Sequence, residues 1–312
     1  FPGTSVLHTR LRYALFVPWL MQEAAKTSPK APATALVRLE TQLTGKLCLA
    51  AGVNPNMTGI IGGRVHPTPA SQPASFSYWT ALSTWGILHR TASKSVPSRE
   101  AVLKQLVSRG AEVKRAVRDE AGHDVFQVPT ALPVDLPEPP VDFWQSSAVC
   151  TFALAQSERR FLKDRLSRVK RPGSDELSLL ARLARDPRPL QGLDFWDEPI
   201  VHELADTEDK EVLRLAKQSS ALAGIARGVY LCFVEEACIK LGTAVQGVHR
   251  NHLKDLCRDL REPALQLPLD KLRLTLGLND DRLFTLLART QQWLRGLDDI
   301  RKLAGIYRDT EA

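Results

Sequence analysis

The sequence predicts an all-α or predominantly α protein, multi-helix and divided into two subdomains. Apolar residues recur three and four positions apart through most of its 312 residues, the periodicity of an amphipathic helix. These runs are punctuated by Pro and Gly clusters, with no series of alternating strand-like segments between them. Aromatics are only 6% of residues while aliphatics dominate, a balance that disfavours a β-sandwich. A winged-helix-like unit in the N-terminal half is a subsidiary expectation. It rests on an apolar run at 125–128 that follows the helices there, without a clear pair of wing strands.

The elements follow from local signals. Pro2-Gly3 reads as a turn, and Thr4 or Ser5 as the N-cap of an opening helix carrying Leu7, Leu11, Ala14 and Leu15 on one stripe. Pro18 lacks an N–H and is expected to end or kink that helix, turning Trp19 away. A second helix is expected over 34–51, with Leu36, Leu39, Leu43, Leu47 and Ala50 on one side. After a Pro/Ser-rich stretch, Tyr78, Trp79, Leu82 and Trp85 repeat at helical spacing, and Gly86 is a natural stop. Ser98 caps the next helix, whose apolar face begins with Val102, Leu103, Leu106 and Val107.

Residues 129–142 hold the densest prolines and read as an extended linker between a basic N-terminal helical domain, 1–128, and a helical C-terminal domain, 143–312. In that second domain Ser157 and Ser174 are expected caps, and Pro199 fits the first turn of a short helix. The longest candidate spans 207–241, begins at Thr207 without a capping box, and contains Gly224 and Gly228, which weaken a single unbroken helix. Further helices are expected over 248–261 and 269–276, then a last one capped by Asn279.

The chain carries a net charge of +7, unevenly spread. Residues 1–118 hold 15 Lys/Arg against four acidic residues, leaving the remainder at −4. Such asymmetry is a pointer to a polyanion partner, although a solvated mixed surface is the favoured reading of it. Five cysteines, an odd number with no CxxC pair, argue against a disulfide framework or zinc ribbon and for free thiols in a reducing cytoplasm. The opening apolar run is interrupted by Arg12 and Pro18 and is too short to span a membrane, so neither a signal peptide nor a membrane anchor is expected.

No Walker loop, GxGxxG turn, GxSxG elbow or HExxH helix is present, so the chain reads as non-enzymatic. Gly59 to Arg64 resembles an anion-binding glycine turn only loosely, because no strand precedes it. His249 and His252 share a helix face near Cys257 but lack a third metal ligand at suitable spacing, and Glu235-Glu236 lack Glu-x-x-His partners. Neither a metal nor a cofactor is expected; the two glutamates are expected to pair with Lys240 or Arg227. Arg10 and Arg12 stand out, because arginines within an apolar helix are expensive unless solvated or paired. Two readings stay open for them: a buried ion-pair network, or a guanidinium clamp on phosphate or carboxylate.

The block FPGTSVLHTRLRYALFVPW, with Thr9, Arg10, Arg12, Tyr13, Phe16, Pro18 and Trp19, and the later Tyr78, Trp79, Leu82, Trp85, Gly86 and Ile87 resemble a bacterial family of unknown function. The resemblance covers most of the chain and implies no established activity. It also implies that both native termini extend beyond this sequence.

The leading functional expectation is a cytoplasmic nucleic-acid-binding component, for DNA or RNA, of a prokaryotic DNA-handling or defence assembly. Arg10, Arg12, Arg64 and Arg90 would contact phosphate, with Tyr13 beside them and Tyr78 or Trp79 stacking on bases. One alternative is a helical scaffold that binds a protein through a thin face at Ala221, Gly224 and Gly228. The other is an enzyme with an arginine-lined pocket near Arg10 and Tyr13.

Overall fold

The computed structural model describes residues 4–5, 8–53, 58–89, 95–113, 131–145, 148–243, 247–296 and 300–303. Among them the protein is all-α: twelve α-helices, one 3-10 turn and no strand, with a lone antiparallel bridge between Lys170 and Leu177. No wing strands stand among these residues, and the apolar run at 125–128 lies outside them. The chain divides into two compact units, 1–188 and 189–312.

The first unit is built around α1 (Tyr13–Thr27), which packs against α2 (Pro32–Val53) and α5 (Arg99–Val113). Every residue from Tyr13 to Met21 is buried, so this part of α1 is enclosed on all sides and occupies the centre of this core. The helix continues past Pro18, where the sequence suggested an end or a kink, so Pro18 does not end it. Losing one backbone hydrogen bond there costs about 3 kcal/mol, and burying Trp19, Leu20 and Met21 on the far side returns about 1.5–3 kcal/mol each.

The helix also starts later than expected, at Tyr13, so Thr4 and Ser5 do not cap it. Short α3 (Ala74–Ser77) and α4 (Trp79–Thr84) place Tyr78 beneath that start, and Gly86 follows α4 at φ +68°, as its stop signal suggested. Ser98 caps α5 as expected, its hydroxyl accepting the Ala101 N–H at 3.1 Å.

The described part of the expected linker, 131–142, belongs to the first unit. Ala131, Leu132 and Leu136 are buried in its core, and the Trp19 indole donates to the Pro137 carbonyl at 2.6 Å. Prolines forbid a helix in this stretch, but its intervening apolar residues have a core to enter. The unit closes with α6 (Gln156–Leu166), begun at Ala155 instead of Ser157, and α7 (Leu179–Arg185), capped by Ser178.

The second unit comprises α8 (Pro199–Leu204), α9 (Thr207–Lys240), α10 (Val248–Leu265), α11 (Leu269–Leu276), α12 (Asp281–Gly296) and the 3-10 turn Ile300–Leu303. Its α9 is one unbroken helix, opened one residue before Thr207 by Asp206, which forms a capping box with Asp209. An antiparallel hairpin joins α9 to α10, and α12 closes the core by adding Phe284 to Leu222, Ile225, Val229 and Leu253. Gln291 on α12 donates to the carbonyls of Ala264, Leu265 and Leu267, satisfying the end of α10.

Candidate functional site

The opening block is an internal brace in this structure. Arg12 is 8% exposed, with Nη2 2.7 Å from Glu158 Oε1 and Nη1 2.7 Å from the Thr151 carbonyl. Glu158 is itself buried and accepts the Ala155 N–H that opens α6, so the ion pair ties the start of α1 to the start of α6. Arg10 is half-buried and fastened to a loop: Nε donates to the Thr58 carbonyl at 2.8 Å and Nη2 to the Thr58 hydroxyl at 3.0 Å. Gly59 completes that loop at φ +82°, where a Cβ would lie 2.9 Å from Thr9 Cβ, so the close approach requires glycine.

Tyr13 of the opening block and Tyr78 of the later one are buried hydrogen-bonding posts. The Tyr13 hydroxyl accepts the Ile61 N–H at 2.9 Å, and burial pushes its pKa well above the usual phenol range. The Tyr78 hydroxyl donates to the Arg10 carbonyl at 2.6 Å and accepts the Arg10 N–H at 3.1 Å; burial pushes its pKa up to about 12. That double contact holds Arg10 outside the helix and explains the late start of α1. Trp79 is half-buried, its indole donating to the Pro97 carbonyl at 2.9 Å. Arg64 is exposed, and Arg90 lies outside the described residues.

Arg12, Tyr13 and Tyr78 thus present no solvent face to a phosphate or a base. A cavity of about 50 Å³ beside Tyr13 has neither Arg10 nor Arg12 in its lining. It has room for water alone.

A different surface has the form of a binding site. In the second unit, α9, α10, α12 and the 3-10 turn enclose an open groove of about 1070 Å³. Lys240 comes from α9, Arg250, Lys254, Arg258 and Arg261 from α10, and Arg301 from the turn. Glu236 is the one acidic residue of the lining, and Leu253, Cys257, Trp293 and Ile300 supply its apolar part. Residues 189–312 hold 17 Lys/Arg against 20 Asp/Glu, so cations are concentrated here in a unit that is net acidic.

Part of this charge is compensated. Arg250 pairs with Glu236, and Arg258 with Asp255 and Asp259 at 3.1 and 2.9 Å. Arg261 donates to the Arg295 carbonyl at 3.0 Å, while its buried Nε has no acceptor among the described residues. Lys240 and Lys254 are exposed and make no ion pair among the described residues. Burial pushes the Cys257 thiol up against the opposing pull of Arg261, so it stays protonated and weakly nucleophilic.

A family model described as a family of unknown function (DUF6361) matches residues 1–311. The chain belongs to this family. Comparison with curated proteins and with solved structures finds no match.

The DUF6361 match spans the brace and the groove alike. Other sequence expectations for this family member resolve in the second unit. The thin face of Ala221, Gly224 and Gly228, read as a partner site, is already occupied from within the chain: Gly224 faces Leu260, and Gly228 faces Leu253 and Leu256 of α10. Glu235 is buried and accepts the His249 N–H at 3.1 Å, capping α10, and Glu236 pairs with Arg250 instead of Lys240 or Arg227. Among the described residues no group of three or more His, Cys, Asp or Glu is placed to hold a metal ion, and no helix is long and apolar enough to cross a membrane.

The groove escaped the sequence reading although it has a signal. Arg250, Lys254, Arg258 and Arg261 recur at spacings of four, four and three and so share one face of α10.

Proposed function

We propose that this protein binds single-stranded nucleic acid in the cationic groove of its second unit. The observation that carries the reading is the local charge: six Lys/Arg against one Glu line a groove in a unit where acids outnumber bases. Phosphate attracts such a surface at any sequence, and release of condensed counterions drives the binding. Trp293 is half-buried in the groove lining and offers a ring on which a base can stack, as in grooves that track single strands. Lys240 and Lys254, exposed and unpaired, are the first phosphate contacts, and Arg261 is the third.

The test is fluorescence anisotropy with labelled single-stranded DNA and RNA oligonucleotides, and with duplex DNA, across a salt series. A single strand is expected to bind with affinity falling steeply as salt rises. Removing the charges in Lys240→Gln/Lys254→Gln should weaken binding about tenfold and flatten the salt slope by about 1.4, at roughly 0.7 per lost phosphate contact. Binding that ignores both salt and this double variant removes the reading, as does a preference for duplex over single strand.

A further inference from the structure

A second groove, of about 780 Å³, opens in the first unit between the turn before α2, the start of α3 and α5. That volume lies within the roughly 300–1,000 Å³ of sites that hold small ligands. Its apolar walls come from Pro32, Leu36 and Val37 of α2, Pro73 ahead of α3, and Leu103 and Val107 of α5. The charged residues along it are Lys30, Glu40, Arg99, Glu100 and Lys104.

Arg99 is held in place there without being neutralised. Glu40, 8% exposed, accepts the Ser75 N–H at 2.7 Å and the Ser75 hydroxyl at 3.2 Å. Having given its proton to Glu40, that hydroxyl has only lone pairs left, and Arg99 Nη1 donates to it at 3.3 Å. The Phe76 ring steadies the same guanidinium, whose carbon lies 5.6 Å from the ring centroid. Arg99 is exposed and makes no ion pair among the described residues, so most of its N–H groups are open to a ligand. It is also the first residue of α5, where the helix end adds a partial positive charge. Lys30 is exposed and likewise makes no ion pair among the described residues, whereas Lys104 pairs with Glu100 at 3.0 Å.

We infer that this groove binds a small amphipathic anion, an apolar body lying between α2 and α5 with a carboxylate or phosphate on Arg99. A guanidinium fork matches either headgroup with two parallel hydrogen bonds, and Lys30 adds a second positive charge. Glu40 does not repel the headgroup, because Ser75 engages both of its oxygens and burial pushes its pKa up. Two uncompensated cations beside an apolar wall suit one anionic group with a tail. The cationic groove of the second unit, with six, suits a chain of phosphates instead. The inference does not depend on the nucleic-acid reading.

The test is isothermal titration calorimetry of the full chain with octanoate, octyl phosphate, octanol and inorganic phosphate. Octanoate or octyl phosphate is expected to bind one to one, and the tighter of the two names the headgroup. Octanol, which lacks the charge, and inorganic phosphate, which lacks the tail, should each bind at least about tenfold more weakly. Arg99→Gln should weaken the anion about tenfold by removing its charged fork. Val37→Glu, which sets a carboxylate on the apolar wall, should weaken it as well. Both positions are exposed, and circular dichroism checks that each variant stays folded. No binding of either anion, octanol or inorganic phosphate binding as tightly, or binding that survives either variant overturns the inference.

Discussion

Arg12 and Glu158 lie 146 positions apart in the chain and 2.7 Å apart in the fold, and both are buried. Removing one partner leaves the other charge desolvated and alone, which costs about 3–5 kcal/mol. Arg12→Ala is therefore expected to lower the denaturant midpoint by an equivalent of that size, and Glu158→Gln to lower it as well. The double variant should lose less than the sum of the two. Variants that leave the midpoint unchanged would return Arg12 to the role of a ligand clamp. From sequence, both readings of this arginine were open, because nothing in the local spacing points to a carboxylate so distant. What was legible was the anomaly itself, two arginines in an apolar segment, and the fold resolves it by giving Arg12 a buried counter-charge and Arg10 the oxygens of Thr58.

On the scale of elements, helix type and order were largely readable, because helical periodicity survives in any context that buries one face. Boundaries and occupants were less so. Pro18 breaks a helix in water, yet inside a wholly apolar environment α1 continues past it. The small residues of α9 were correctly read as a close-contact face, but the occupant is α10 of the same chain.

The two glycines on that face make a sharp test. A Cβ at Gly224 would sit 3.6 Å from Leu260 Cδ1, ordinary contact, so Gly224→Ala should raise stability by up to about 1 kcal/mol through helix propensity alone. A Cβ at Gly228 would press to 3.0 Å on both Leu253 and Leu256. Gly228→Val adds two further carbons there and should lower stability by about 1–3 kcal/mol. Urea unfolding of the two variants reads both signs, and equal effects would mean that α10 does not pack against α9 in this register.

Across the whole molecule, a linear count of charge does not show where charges gather in the fold. Residues 1–118 carry a net charge of +11, more than the +7 of the whole chain, but their arginines include the internal Arg12. The second unit averages to a net negative charge while gathering six cations in one groove, where the cationic stripe of α10 meets Lys240 of α9 and Arg301 of the turn.

The proline-rich stretch 129–142 does not coincide with the boundary between the two compact units, because prolines mark where helices cannot form and say nothing about where cores separate. The cores divide at 188/189, beside a loop held by one buried side chain. Glu198 is 1% exposed and accepts the backbone N–H groups of Gln191, Gly192 and Leu193 at 2.8–3.0 Å. Leu190 and Leu193 of that loop are 54% and 53% exposed, so chymotrypsin can reach them once the backbone opens.

Each of these charge-assisted bonds contributes about 1.5–3 kcal/mol against its unsatisfied state. Losing even ~2 kcal/mol of local stability raises the open population roughly 30-fold, and proteolysis of a rapidly opening loop follows that population. Glu198→Ala is thus expected to turn a slow cleavage after Leu190 or Leu193 into a fast one, releasing fragments near 190 and 120 residues. Cleavage as slow as in the unmodified chain would mean that the loop is held by contacts other than the Glu198 carboxylate.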